Sequence, residues 1–333
     1  MSGNTCGMDA WVVDEFAPYN DALTWKEAPD PTLPSPDSTV IEVLAAGVNF
    51  PDILFVQGEY QIKPPLPFSP GIEAVGTVVE AGEKSKFAVG DRIVTTGLGA
   101  FATKMAAVDA MSFKVPDEMT DVDAAAIRII YLTSYMAINY KAKLQAGETL
   151  LVHGGAGGVG TSAIEVGKAL GATVIATATG ERDIQVCLDT GADHVIDWQN
   201  EDIVTRVKEL TGGAGADVIY DPVGGDAFDA STHCVNFEGR IIVIGFASGR
   251  IPEVKAHLIL NKNMSVMGFF FTNYLLMRPE LVAQQQDEIN ELYMAGKFKP
   301  VVSAELPMTQ LPAALDMITN REAYGKIVLV NEH

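Results

Sequence analysis

The chain has 333 residues, of which 48% are apolar, 20% charged and 8% aromatic. That length suits about two domains, and the composition excludes a disordered or collagen-like polymer. Lys and Arg number 23 against 43 Asp and Glu, a net charge of -20, which argues against nucleic acid and anionic membrane surfaces as partners.

No apolar run approaches the roughly 20 residues that span a bilayer. Residues 1–18 carry Asp9, Asp14 and Glu15 but no Lys or Arg, so no signal peptide is expected. Cys6, Cys187 and Cys234 are too few and too scattered for a disulfide framework or a four-Cys zinc lobe. A reducing cytoplasm is the expected location.

In chain order, Pro29, Pro31, Pro34 and Pro36 mark an extended connection, and residues 40–48 read as a buried strand. Residues 63–70 (KPPLPFSP) hold four prolines, which remove donors and fix φ, so neither helix nor central strand is expected there. Residues 71–81 read as a strand, and Gly90-Asp91 turns into another at 92–95. Up to about residue 125 the chain is therefore β-rich.

Beyond it, residues 123–143 form a long Ala-rich helical pattern. Strand and helix then alternate. Strands are expected at 149–153, 173–178, 194–196, 217–221, 240–245 and 265–271. Helices are expected at 159–170, 181–190, 202–210 and 227–235. This alternation predicts an α/β, doubly wound parallel sheet with helices on both faces. Residues 281–333 mix helices with a last strand at 327–330.

The strongest local signal is the run from His153 to Gly160 (HGGAGGVG). Gly155, Gly157 and Gly160, with Ala156, Gly158 and Val159 between them, satisfy the dinucleotide fingerprint between a strand and a helix. Glycines there permit a tight turn and close approach of a pyrophosphate, and the helix N-terminus supplies free N–H groups. The second strand ends at Thr177 and Thr179 with no acid at its tip, and Arg182 follows. An acid there would hold the ribose 2′-hydroxyl of NADH, whereas an Arg suits a 2′-phosphate. NADPH is therefore expected over NADH, although Glu181 and Asp183 flank Arg182 and dilute its field. The alternative for Arg182 is a solvated residue at a helix start.

Taken together, residues 46–52 (AGVNFPD), 57–60 (QGEY), 65–73 (PLPFSPGIE), 221–225 (DPVGG), 243–249 (VIGFASG) and 324–329 (YGKIVL) resemble the zinc-independent quinone oxidoreductase branch of the medium-chain dehydrogenase/reductase superfamily. The resemblance covers nearly the whole chain. It implies a GroES-like β-rich catalytic domain (1–125), a Rossmann NADP-binding domain (126–271) and a C-terminal segment (272–333) that completes the catalytic domain. It also implies a homodimer joined through the last Rossmann strand. Zinc-using relatives carry Cys and His where this chain has Asn49 and Ile72, and the five His show no ligand spacing, so no metal is expected.

The resemblance places Asn49 and Asp52 near the nicotinamide and substrate, and makes Tyr60 the candidate proton donor. Thr133 sits where relatives hold the reactive end of the cofactor. Val223, Gly245 and Phe246 end Rossmann strands, where a crevice is expected. Phe269 and Phe271 would offer backbone groups to the carboxamide, Lys326 matches a lysine near the phosphates, and Trp198 stands where relatives have a Tyr beside the 2′-phosphate. Each residue has a plainer reading: Asn49 and Asp52 as helix caps, Tyr60 as a packed loop residue, Thr133 as a back-bonded helix hydroxyl, Phe269–Phe271 as an edge strand, and Lys326 as a surface lysine. Tyr293 and Lys297 mimic a short-chain dehydrogenase acid pair but fall after the Rossmann strands, in a helix.

The expected activity is NADPH-dependent reduction of a quinone without zinc. Two other readings stand beside it. One is reduction of the C=C bond of an enone, enal or enoyl thioester with Tyr60 as acid. The other is a non-catalytic cofactor-binding or nucleic-acid-binding protein, which the net charge opposes in its RNA form.

Overall fold

The computed structural model describes residues 7–331, so Cys6 and His333 lie outside the described residues. The described residues divide into two compact units, 7–129 with 302–331, and 130–301.

The first unit opens with β1 (Met8–Val13), the short α1 (Tyr19–Ala22) and β2 (Leu23–Ala28). The prolines of residues 29–36 follow as extended chain, and β3 (Ser38–Val48) is buried along almost its whole length. Next come α2 (Phe50–Gln57), β4 (Glu73–Ala81), β5 (Arg92–Thr96), β6 (Lys104–Val108) and β7 (Ser112–Lys114). Between α2 and β4, residues 63–70 stay outside helix and strand, apart from a bridge between Phe68 and Val13.

Helix α3 (Asp121–Tyr135) carries the chain into the second unit. It stops earlier than expected and widens into a π-helical turn at Met136–Lys141. There follow β8 (Thr149–Val152), α4 (Gly158–Ala169), β9 (Thr173–Ala178), α5 (Gly180–Asp189), β10 (His194–Asp197), α6 (Ile203–Leu210), β11 (Ala216–Asp221), α7 (Gly225–Cys234), β12 (Val235–Val243), α8 (Ala256–Lys262) and β13 (Ser265–Gly268). The six strands are parallel, in the order β10-β9-β8-β11-β12-β13. That is the doubly wound Rossmann order, and it reverses direction between β8 and β11. Leu151, Ile175, Ile219 and Ile241 lie in its buried core.

Two expectations move here. The apolar run at 265–271 is a strand only to Gly268, and Phe271 opens a further helix, α9 (Phe271–Met277). A short apolar run reads alike as strand or buried helix, and the stacking of Phe269 on Tyr274 (4.9 Å between rings) decides it. The domain boundary expected at 272 falls at 302. Helix α10 (Pro279–Met294) belongs to the second unit, where Tyr135 donates to Glu288 (3.0 Å) and Phe298 packs on Tyr131 (5.0 Å).

The last strands, β14 (Val302–Pro307) and β15 (Lys326–Val330), flank α11 (Leu311–Thr319). They return the chain to the first unit, whose main sheet runs β14-β15-β3-β4-β5-β7, with β6 also paired to β3. The C-terminus therefore completes the first unit, but from residue 302 only. Val43, Ile41, Ile93, Leu311, Leu315 and Leu329 form part of its core.

Candidate active site

In the first unit, strand register brings a charged cluster together. β15 pairs antiparallel with β3 with Ile327 opposite Val48, so Lys326 comes level with Asn49. β3 pairs with β4 with Ala46 opposite Ala74, so Glu73 comes level with Gly47. The results are direct contacts: Lys326 Nζ donates to Asn49 Oδ1 (2.6 Å) and forms an ion pair with Glu73, while Asn49 Nδ2 donates to Glu73 Oε1 (2.7 Å) and Gly47 O (3.3 Å). Glu73 Oε2 accepts from the Ile129 N–H (2.9 Å). Glu73 is fully buried and Lys326 is 2% exposed. Such a pair is tolerated in low dielectric because every partner is hydrogen-bonded. Both amide protons of Asn49 are thus committed, and its oxygen keeps one lone pair for a further donor.

Asp52 lies one turn into α2, where its Oδ2 accepts from the Asn49 N–H (2.7 Å), as a helix-start acid does. Its other oxygen is buried with no partner. Burial pushes the carboxyl up to about 8; the Asn49 N–H and Lys326 oppose the rise, and Glu73 adds to it. Helix α2 ends at Gly58 in the left-handed conformation (φ 69°), and half-buried Tyr60 follows with its ring on Phe55 (4.3 Å).

Lys326 is therefore not the surface lysine of the plainer reading: it is buried and its ammonium is paired with Glu73. Sequence reasoning passed over Glu73 as a functional residue. The available signal was one acid and one base, each heading an apolar strand. Arg128 was missed as well. It is fully buried, donates to Thr96 (2.9 Å) and Met111 O (3.2 Å), and lies over the Phe113 ring (4.4 Å). Burial opposes its charge, and Glu73 supports it.

In the second unit the glycine loop joins β8 to α4 at the C-terminal edge of the sheet, on the strand next to the reversal of order. A side chain at Gly160 would overlap the carbonyl oxygen of Gly154. One at Gly155 would lie 2.7 Å from Cys187 Sγ and 2.8 Å from Ala176 Cβ. At Gly157 the nearest atom is 3.5 Å away and the residue is exposed, so its missing side chain serves no internal packing. The first N–H groups of α4 lack intrahelical partners. The loop thus has the shape and polarity of a diphosphate cradle.

A hydrogen-bonded chain braces this loop. The neutral His153 ring donates through Nε2 to Ser231 Oγ (2.8 Å), which itself donates to Ala227 O (2.8 Å). Nδ1 is then free to accept from Thr177 Oγ1 (3.3 Å), which accepts in turn from the Gly154 N–H (3.2 Å). Burial holds the imidazole pKa below its ordinary value, with Asp221 opposing. Thr177, the expected ligand contact, is buried and supports the loop, with its carbonyl accepting from Gly155 N–H (2.9 Å). Trp198 meets the His153 ring edge-on (6.4 Å).

Around the same edge, Asp221 Oδ1 accepts from the N–H groups of Val223 and Gly224 (2.9 Å each), fixing the turn after β11. Val223 O accepts from Ser248 N–H (2.9 Å), which ties that turn to the loop of Gly245 and Phe246. Thr133 is buried on α3. The Phe269 N–H donates to Val243 O (3.0 Å), so only its carbonyl remains for a ligand, and buried Phe271 starts a helix. Thr179 is exposed at the tip of β9, and Arg182 bonds its neighbour Asp183 (2.9 Å). Among the described residues, no three His, Cys, Asp or Glu side chains gather as a metal site requires.

A β-rich unit closed by its own C-terminus, in one chain with a doubly wound sheet that carries a glycine loop at its reversal point, is the architecture of a nicotinamide-dependent dehydrogenase or reductase. The sequence matches the alcohol dehydrogenase GroES-like domain over residues 35–117 and the zinc-binding dehydrogenase family over residues 158–286. It is 37% identical to the quinone oxidoreductase-like protein 2 homolog of Nematostella vectensis, covering 87% of this chain and 80% of that one. A mycobacterial protein solved in complex with NADPH superposes with a TM-score of 0.90 at 30% identity, covering 97% and 99% of the two chains. The quinone oxidoreductase of Escherichia coli, also solved with NADPH, gives 0.88 at 28% over the same shares. The chain belongs to the zinc-independent quinone oxidoreductase branch of the medium-chain dehydrogenase/reductase superfamily, whose members are NAD(P)H-dependent oxidoreductases.

Proposed function

We propose that the protein is an NADPH-dependent reductase of quinones that works without a resident metal. The observation that carries this reading is the glycine loop at the sheet reversal, with exposed Gly157 open to a diphosphate and the N-terminus of α4 behind it. Two solved relatives at 28–30% identity hold NADPH, and one of them is named a quinone oxidoreductase.

When bound, the reduced nicotinamide supplies a hydride. Residues 155–160 would hold the diphosphate, Thr179 and Arg182 the adenosine ribose and its 2′-phosphate, and Val223, Gly245, Phe246 and the Phe269 carbonyl the remainder. Thr133 would meet the cofactor's reacting end, and the free lone pair of Asn49 would take a donor from the substrate. Glu73 and Lys326 hold Asn49 in that orientation, and Asp52 keeps its proton near neutral pH. A quinone gains two electrons with the hydride and takes its balancing proton from water or a nearby acid. The work of this chain is then binding, alignment and exclusion of water.

A second reading keeps the cofactor and changes the acceptor to an activated C=C bond. The position of Tyr60, half-buried two residues after the left-handed Gly58, supports it. Hydride addition to one carbon leaves a carbanion-like neighbour that needs a placed acid. Stopped-flow oxidation of NADPH and NADH against quinones, enones and enoyl-CoA esters separates the two. Under the leading reading Tyr60→Phe leaves quinone turnover within about twofold. An enone rate that is high in the wild type and falls about 100-fold in Tyr60→Phe establishes the second reading instead.

A homodimer and a cytoplasmic location complete the proposal. β13 ends its sheet with one unpaired edge, and Leu276 and Met277 beyond it are exposed, which suits a second copy. No helix among the described residues is long and apolar enough to cross a membrane.

A further inference from the structure

The first turn of α5, just past the tip of β9, carries a competition between two side chains. If the glycine loop holds a diphosphate, the adenosine ribose falls at the end of the second strand of the sheet, which here is Ala178 followed by exposed Thr179. A carboxylate at this place favours the free 2′-hydroxyl of NADH, and a guanidinium favours a 2′-phosphate. Here the tip itself has neither, and both follow in the first turn of α5, adjacent in sequence and bonded to each other. Arg182 Nε and Nη2 each lie 2.9 Å from Asp183 Oδ1. The Arg182 side chain is 49% exposed and that of Asp183 27%, so the pair stands at the surface and can rearrange. Glu181 adds a second exposed acid in the same turn.

We propose that Asp183 is a specificity-determining residue that competes with the 2′-phosphate of NADPH for Arg182. The inference rests on the cofactor reading above and goes beyond it by saying how strongly the two coenzymes are told apart. A bound 2′-phosphate carries close to two negative charges. For Arg182 to meet it, the guanidinium must leave Asp183, and the freed carboxylate then stands near the dianion. At roughly 7 Å in near-aqueous dielectric that repulsion is worth about tenfold in affinity. Wild-type protein therefore takes both coenzymes, with NADPH favoured by no more than about tenfold. NADH feels little of this, because a 2′-hydroxyl carries no charge.

Direct titration of NADPH and NADH, followed by calorimetry at fixed ionic strength, tests this in the wild type, Asp183→Asn, Arg182→Gln and the double variant. The three variants change partly exposed surface side chains, and matching thermal melts confirm that all four proteins are folded. Asp183→Asn is expected to tighten NADPH about fivefold to tenfold while NADH moves less than twofold. Arg182→Gln is expected to weaken NADPH alone, and in its background the gain from Asp183→Asn shrinks to under twofold. An unchanged NADPH-to-NADH ratio in Asp183→Asn overturns the inference, and so does a gain of equal size without Arg182, because the carboxylate would then act independently of the guanidinium. Binding of neither coenzyme to any of the four proteins overturns the cofactor reading itself and the inference with it.

Discussion

The two units each carry a candidate site, and they build them from opposite materials. In the first, side chains do everything: Glu73, Lys326 and Asn49 are buried, charged or polar, and drawn from three strands or strand ends. In the second, the backbone does most of it: residues 154–160 are shaped by the absence of side chains, and His153 and Thr177 only brace them. The contrast teaches where each half is fragile. A side-chain cluster in low dielectric fails when one charge loses its partner. A backbone cradle fails when a Cβ is added.

The largest effect is expected from breaking the buried pair. Lys326→Met strands Glu73 and should cost roughly 3–5 kcal/mol of stability, read from urea unfolding. Adding Glu73→Gln to that variant removes the stranded charge and should recover more than half of the loss. If the double variant is as unstable as the single, then packing around Lys326, not its charge, is what holds the cluster.

Titration sharpens the same contrast. Asp52 in the first unit is pushed up to about 8 and Glu165 in the second to about 7, both by burial. A carboxyl raised above its unfolded value stabilises the protein fully at low pH, and that contribution is lost as pH rises through the folded value. The contribution of these two groups should therefore fall from about pH 4 upward, with the Glu165 part spent by pH 7 and the Asp52 part by pH 8, against a rise from His153, whose depressed folded value adds stability as pH climbs toward its ordinary value. Over pH 5–8 the Asp52 share is at most about 4 kcal/mol by linkage. Asp52→Asn should flatten the melting profile up to pH 8, and Glu165→Gln only up to pH 7. A profile for Asp52→Asn that parallels the wild type between pH 7 and 8 would show that Asp52 is already ionised there.

The cradle gives a smaller, more local effect. Gly160→Ala drives a methyl group into the Gly154 carbonyl and should cost about 1–3 kcal/mol, as overpacking does. Gly157→Ala meets nothing closer than 3.5 Å and should leave the melt unchanged while weakening NADPH more than tenfold. Equal losses of stability in the two variants would mean that the loop's glycines serve folding and not ligand approach.

These differences also explain what the sequence made legible. The Rossmann half could be read because its signals are local: a glycine run between a strand and a helix, and regular alternation afterwards. Strand β9 falls where expected, at Thr173–Ala178, and the parallel order follows from the alternation. The charged cluster could not be read in the same way. Lys326 lies 253 residues from Glu73 and 277 from Asn49, and only the register of β15 on β3 and of β3 on β4 brings them together. Resemblance alone therefore puts Lys326 at the phosphates, and Glu73 reads only as part of a motif. The end of the strand at 265–271 failed for another reason: Phe269–Phe271 is apolar enough for strand or helix, and its stacking on Tyr274 is a tertiary fact.

The smallest expected effect compares two ion pairs. Lys326 and Glu73 are almost fully buried, whereas Arg182 and Asp183 are partly exposed neighbours at the surface. Water screens the second pair, and holding two side chains together costs entropy, so its contribution to stability should be under about 0.5 kcal/mol. Arg182→Gln should therefore leave the urea midpoint within error of the wild type at any salt concentration, even as it weakens NADPH. A loss above 1 kcal/mol would mean that the pair is part of the fold at the start of α5. An Arg182 so engaged would not be available to move toward a phosphate, and its place in the cofactor site would have to pass to the exposed backbone and hydroxyl of Thr179.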